Sequence, residues 1–211
     1  MFCPAQETQL ARLIVYYAHP GQRFSRANAA MAKAARSVDR ITFVDLYAEY
    51  PRHDIDVDRE QQRLLDHDVI LFQFPLYWYS TPSLLKEWQD LVLQHGFAFG
   101  HKGDRLAGKR MMLAVTAGGA DDAYTAEGYQ NFPLRVFLAP LEQTARLCGM
   151  SFTAPYVLYG ALGATETDEI PRHSKGFADL LTAIRDDLYD FTSADSREIV
   201  RFDDLPVLQR S

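Results

Sequence analysis

Three stretches constrain this chain more than anything else in it: RLIVYYA at 12–18, DVILFQF at 68–74 and KRMMLAVT at 109–116. Each is short, rich in β-formers and apolar almost throughout. A strand exposed on one face alternates apolar with polar residues, whereas an unbroken apolar run needs cover on both faces. That requirement points to a parallel sheet held between two layers of helices. The intervening segments supply the cover. Residues 25–38 are Ala-rich and helical in pattern, 59–65 suit a short helix, and 82–93 carry a helical period opened by Pro82. Residues 132–148 form a further helix that stops at Gly149, and 170–191 a closing one. Two weaker strands are expected at 41–46 and 151–158, the latter bulged or at an edge because of Pro155.

Strands separated by helices imply right-handed crossovers. Five of them fit an α/β, flavodoxin-like, doubly wound parallel sheet of order 2-1-3-4-5. The expected domain is 12–191, with terminal extensions at 1–11 and 192–211. The last segment, polar and broken by Pro206, is expected to be a flexible arm or to wrap a partner.

A doubly wound sheet binds its ligand beyond the carboxyl ends of its strands, near the switch point. Three loops are thereby selected: HPGQRFSRAN, PLYWYSTP and AGGADDAYTAEG. In the first, a strand runs through His19 toward a helix start at Ser25. Amides at a helix start lack internal partners and favour anions. Ser25 either caps that helix or donates to a phosphate, Asn28 bonds back to the loop, and Arg26 adds a cation. His19 either holds the loop through backbone bonds or touches the phosphate itself. The second loop begins at Pro75 and sets Tyr77, Trp78 and Tyr79 just past a buried strand, where they can lie against a flat conjugated ring. The third offers Thr116 and two glycines, which allow close backbone approach, and Tyr124. A phosphate at one side and a planar heteroaromatic across the other two loops describe flavin mononucleotide.

Other readings fit less well. GDRLAGKR at 103–110 lacks the Ser or Thr of a P-loop and precedes a strand instead of following one. No G-x-G-x-x-G follows the first strand. A phosphoacceptor receiver needs Asp where Ala18-His19 and Phe74-Pro75 stand. The six histidines show no ligand spacing, so no metal is expected, and neither Cys3 nor Cys148 belongs to a disulfide framework. A net charge of −6 disfavours nucleic acid.

The stretches YAHP, SRAN, FPLYWYSTPSLLKEWQD, HGFAFGHKGDRLAGK and AVTAGG resemble the flavodoxin-like NAD(P)H:quinone oxidoreductases, the family of DT-diaphorase and modulator of drug activity B. Within it they are most similar to the ancillary proteins of glutathione-gated potassium-efflux systems. The resemblance spans roughly residues 12–189. It implies a homodimer holding FMN, or alternatively FAD, with NADPH or NADH as co-substrate and a quinone as acceptor. The implied phosphate contacts are His19, Ser25, Arg26, Ala27 and Asn28. The implied ring contacts are Leu76, Tyr77, Trp78 and Tyr79, with Thr116, Ala117, Gly118 and Gly119 opposite. Tyr124 matches a family tyrosine that steadies charge on the reduced ring, but Gln130 stands where a histidine partner is usual, and Ala117 replaces a threonine.

The expected activity is therefore two-electron reduction of quinones by NAD(P)H through the flavin N5. The alternative is a flavin-binding regulatory subunit of a potassium antiporter with little turnover. The N-terminus has no secretory pattern, and no apolar run approaches the ~18 residues of a membrane span. The expected location is the cytoplasm, peripheral to the membrane only through such a partner. A one-electron carrier is disfavoured by the modest charge and the long aromatic loop.

Overall fold

In the computed structural model, which describes residues 11–21, 25–164 and 167–208, the apolar runs become the centre of one parallel sheet. The strands are β1 (Leu13–Tyr17), β2 (Thr42–Asp45), β3 (Val69–Pro75), β4 (Arg110–Thr116), β5 (Ser151–Phe152) and β6 (Tyr156–Leu158). The path is β2-β1-β3-β4-β5, with β6 also paired to β4, and every pairing is parallel. The flavodoxin-like order 2-1-3-4-5 is thus present. Strand five is in two pieces because Pro155 has no amide to give the ladder. β5 pairs with the start of β4 and β6 with its end.

The helices are α1 (Ala27–Arg36), α2 (Leu46–Glu49), α3 (Val57–Asp66), α4 (Ser83–Val92), α5 (Leu134–Leu147), α6 (Glu169–Arg185) and α7 (Phe191–Asp195). Side chains alternate across the sheet, so β1, β3 and β4 feed two cores. Ile14, Tyr16, Phe72, Phe74, Leu113 and Val115 pack with Trp88 of α4 and Leu138 of α5. Leu13, Val15, Leu71, Met112 and Ala114 pack with Met31 of α1 and Phe177 of α6.

The closing helix ends at Arg185, short of the expected residue 191. The segment expected as a flexible arm packs on its own domain as far as residue 208. α7 contributes Ala194 to the core, Arg110 lies over the Phe191 ring at 4.3 Å and pairs with Asp195 at 2.8 Å, and Val200 is fully buried against the sheet edge. Cys3 lies outside the described residues, as do 22–24 of the first loop. Among the described residues, no helix is long and apolar enough to cross a membrane.

Candidate functional site

Two buried polar side chains fix the start of α1 above the sheet. Gln73 sits on the α1 face of β3, wholly buried, and its Nε2 donates to the Asn28 carbonyl at 2.9 Å. Asn28, also buried, donates from Nδ2 to Thr116 Oγ1 at 2.6 Å. The first turn of α1 is thereby tied to the carboxyl ends of both β3 and β4. Arg26 occupies its capping position without a side-chain cap bond, its first turn holds no acidic residue, and among the described residues no side chain caps it. Ser25 is therefore not the helix cap. The first intrahelical bond runs from Ala30 N to Arg26 O at 3.0 Å, so the earlier amides have no partner within the helix.

These groups border a crevice of about 270 Å³ lined by His19, Ser25, Arg26, Ala27 and Asn28 on one side, with Pro75, Leu76, Tyr77, Thr116 and Gly118 facing them. Ala161 and Leu162 complete the lining. The loop that carries them is fastened to the glycine loop. Gly160 N donates to Gly119 O at 2.7 Å, and Ala161 N to Ala117 O at 2.9 Å. A Cβ on Gly118 would come within 3.3 Å of Leu162 Cδ1, so the absence of a side chain there leaves room for Leu162. Sequence reasoning missed this fourth loop, although its small-residue run, GALGA, repeats the signature used to pick the third.

His19 is almost completely buried. Its Nδ1 accepts from the Gly21 amide at 3.1 Å, which places the proton of the neutral ring on Nε2, 3.3 Å from the Tyr77 hydroxyl. Burial lowers its pKa below the usual histidine value. Near neutral pH the ring is uncharged and shapes the loop. The positive potential in the crevice comes instead from the helix amides and Arg26.

The aromatic loop is a tight reversal. Tyr77 N donates to Ser80 O at 3.0 Å and Ser80 N to Tyr77 O at 2.9 Å. The two central residues, Trp78 and Tyr79, have φ of 46° and 64°. Such turns normally take Asn or Gly, because a Cβ in the left-handed region costs about 1–2 kcal/mol. Trp78 projects into solvent with 93% of its surface exposed. Tyr79 leaves the crevice and lies tilted against Phe137 of α5, with centroids 4.8 Å apart.

Five predicted residues thus fall outside the crevice lining: Trp78, Tyr79, Ala117, Gly119 and Tyr124. Ala117 is buried in the core on the α5 side, so a larger polar residue there would not reach the crevice directly. Gly119 lies against Tyr124, whose ring approaches Phe137 and Tyr159 at 6.2 and 5.5 Å. Burial raises the Tyr124 phenol above its ordinary pKa, so it keeps its proton. Gln130 reaches toward the same glycine: a Cβ on Gly119 would lie 3.6 Å from Gln130 Nε2.

Residues 11–181 match the family model described as a flavodoxin-like fold. The glutathione-regulated potassium-efflux system ancillary protein KefG of Cronobacter sakazakii is 42% identical over 170 residues, covering 81% of this chain and 92% of that protein. Among solved structures, general stress protein 14 of Treponema denticola, in complex with FMN, is similar with a TM-score of 0.77 and 34% identity. The match covers 82% of this chain and 99% of that one. An NADPH-quinone reductase from P. pentosaceus is similar with a TM-score of 0.68 and 28% identity, covering 79% and 97%.

Proposed function

Since the chain belongs to the flavodoxin-like fold family, we propose that it holds FMN in the α1 crevice and reduces quinones with NADPH or NADH. The observation that carries this reading is the start of α1, pinned by Asn28 and Gln73 so that Arg26 and first-turn amides without a partner among the described residues border an open crevice. The residues present fit a ribityl phosphate. The amides suit the phosphate, and Asn28 Oδ1, buried and without a partner among the described residues, suits a ligand hydroxyl. The FMN complex of general stress protein 14 and the reductase relative support the same reading.

When bound, the flavin would supply the two-electron redox chemistry between nicotinamide and quinone. The protein's part is to hold and orient. Arg26 and the α1 amides neutralise the phosphate, and His19 braces Tyr77 without adding charge. The Ala117 amide is already given to the Leu158 carbonyl at 2.8 Å, so the Gly118 amide is the one proposed to face negative charge on the ring edge. Tyr124, kept protonated by burial, is proposed as a hydrogen-bond donor behind that loop, with Gln130 beside it as a donor that cannot carry the proton. Trp78, exposed to solvent, and Tyr79, resting on Phe137, are proposed to wall an acceptor slot that a second copy of the chain completes in a homodimer. The reading places the protein in the cytoplasm.

The direct test is to identify the cofactor released from purified protein and then add NADPH without oxygen. Yellow absorbance that bleaches, and that a quinone restores, is the expected result. The KefG relative supports a second reading, a flavin-binding regulatory subunit docked on a potassium antiporter. Colour that NADPH does not bleach favours that one. The strained turn gives a sharper check. Replacing Trp78 with glycine removes left-handed strain at an exposed site, offset in part by the roughly 0.5–1 kcal/mol that glycine loses in chain entropy. Stability should stay level or rise by up to about 1 kcal/mol, while kcat/KM for quinone falls at least tenfold. Unchanged quinone kinetics in Trp78→Gly would remove Trp78 from the slot.

A further inference from the structure

The segment that follows α7 closes over a buried histidine. His173 of α6 is 1% exposed, and neither ring nitrogen has a hydrogen-bond partner among the described residues. Its ring stacks on Tyr156 with centroids 4.3 Å apart, and Phe202 meets it edge-on at 6.3 Å. The Tyr156 hydroxyl donates to the His173 carbonyl at 2.7 Å. Residues 198–202 form the outer wall. Val200 N donates to Pro155 O at 2.8 Å, and Val157 N to Val200 O at 3.0 Å, so this strap occupies the free edge of β6. One turn along α6, a Cβ on Gly176 would lie 2.4 Å from Phe202 Cβ, and only glycine lets the strap seat that closely. Arg135 donates to Glu198 O at 3.1 Å, Arg172 lies over Phe202 at 4.7 Å, and Arg201 pairs with Asp121 at 3.0 Å.

The charges around His173 do nothing to balance a proton there. Arg172 precedes it on α6, and Arg201 on the strap opposes protonation. Asp179 of α6 and Asp203 of the strap act on the Tyr156 hydroxyl of β6. Asp168, Glu169 and Asp203 line an outer hollow together with Arg172, Arg201 and Phe202. Asp121 of the glycine loop is taken by Arg201. Among the described residues, no carboxylate bonds the imidazole.

We propose that residues 198–202 are an acid-released clasp: a proton on His173 drives the strap off α6 and the sheet edge while the rest of the domain stays folded. With the strap seated, burial first and Arg201 second lower the His173 pKa to about 3. With the strap off, the ring meets water and returns toward about 6.5. The seated state has the depressed pKa, so its hold is complete above about pH 6.5 and is lost as pH falls toward 3. Each pH unit in that window multiplies the open population by about ten. Opening also breaks the Arg201–Asp121 pair, and so reaches the loop that carries Gly119 and Tyr124. None of this depends on what the crevice binds.

Amide hydrogen exchange tests the clasp, read as protection factors corrected for the intrinsic pH dependence. In the wild-type chain between pH 7.5 and 4.5, protection of Val157 and Val200 should fall about tenfold per unit below pH 6.5, while Val15 and Leu71 in the central strands keep theirs. His173→Phe, or His173→Leu should the first fail to fold, should flatten the Val200 profile. Arg201→Ala should lower Val200 protection at every pH with the wild-type slope. A flat wild-type profile, a fall shared by Val15, or a wild-type slope in the non-titrating variants would overturn the proposal.

Discussion

Replacing Glu60 with alanine should remove about 3–5 kcal/mol of stability, a large share of what a domain of this size holds. Glu60 lies on α3 with no exposed surface. Its carboxylate accepts from the Tyr50 hydroxyl at 2.5 Å, from Trp88 Nε1 at 3.1 Å and from Arg63 Nη1 at 2.5 Å. Removing it leaves an indole N–H and a phenol without an acceptor in the core, and a half-buried guanidinium whose remaining carboxylate partner among the described residues is Glu49 at 3.3 Å. Each such orphan costs more than the bond it loses, because nothing replaces the water given up on folding. Glu60→Gln keeps an acceptor of similar shape but loses the charge, so it should cost less, about 1–3 kcal/mol. Urea denaturation midpoints for the two variants, with unchanged m-values, check both the size and the order. Equal and small losses would mean that solvent, not the core, satisfies this carboxylate. Because the cluster lies under α3 and α4 and contributes nothing to the crevice lining, FMN affinity should be unaffected wherever the variants remain folded.

Glu60 also marks where reading the sequence stops. The buried strands were legible, since an apolar run such as 68–74 has no stable place except between two helical layers. The strand order and the site's location followed from that, because alternation fixes the crossovers and the crossovers fix the switch point. Polar residues inside the core were not legible. Glu60 sits in a helix whose neighbours are charged, and its burial is decided by Trp88, 28 positions away. Gln73 interrupts an apolar strand, and it anchors the helix that forms one wall of the crevice. Partners so distant along the chain leave no local trace. The same holds for Trp78 and Tyr79. Two aromatics in left-handed backbone contradict every local preference, and such conflicts concentrate where function sets the geometry. The strap misled for the opposite reason. The tail around it is polar and suggests solvent, but three of the strap's five residues are apolar: Val200 and Phe202 meet the sheet edge and α6, and Ile199 packs against the opposite core.

Arg26→Asp should weaken FMN binding about a hundredfold or more while leaving the fold intact or slightly firmer, and the two opposite signs make the test decisive. Arg26 occupies the capping position of α1, is exposed, and borders the crevice. An acidic residue at a helix start interacts favourably with the unbonded amides, by about 0.3–1 kcal/mol. α1 has no acidic residue in its first turn, so that gain is still open to it. A phosphate at the same amides, however, would lose a cation and meet an anion. Like charges brought together at a binding site cost several kcal/mol, and 2.8 kcal/mol is already about a hundredfold in Kd. Screening should shrink the loss as salt is raised, because Arg26 faces solvent. Fluorescence quenching of FMN gives the affinities, and thermal melts of the cofactor-free protein give the stabilities. A variant that is more stable and still binds FMN as tightly as the parent would show that the amides of α1 face something other than phosphate, and the crevice assignment would fall with it.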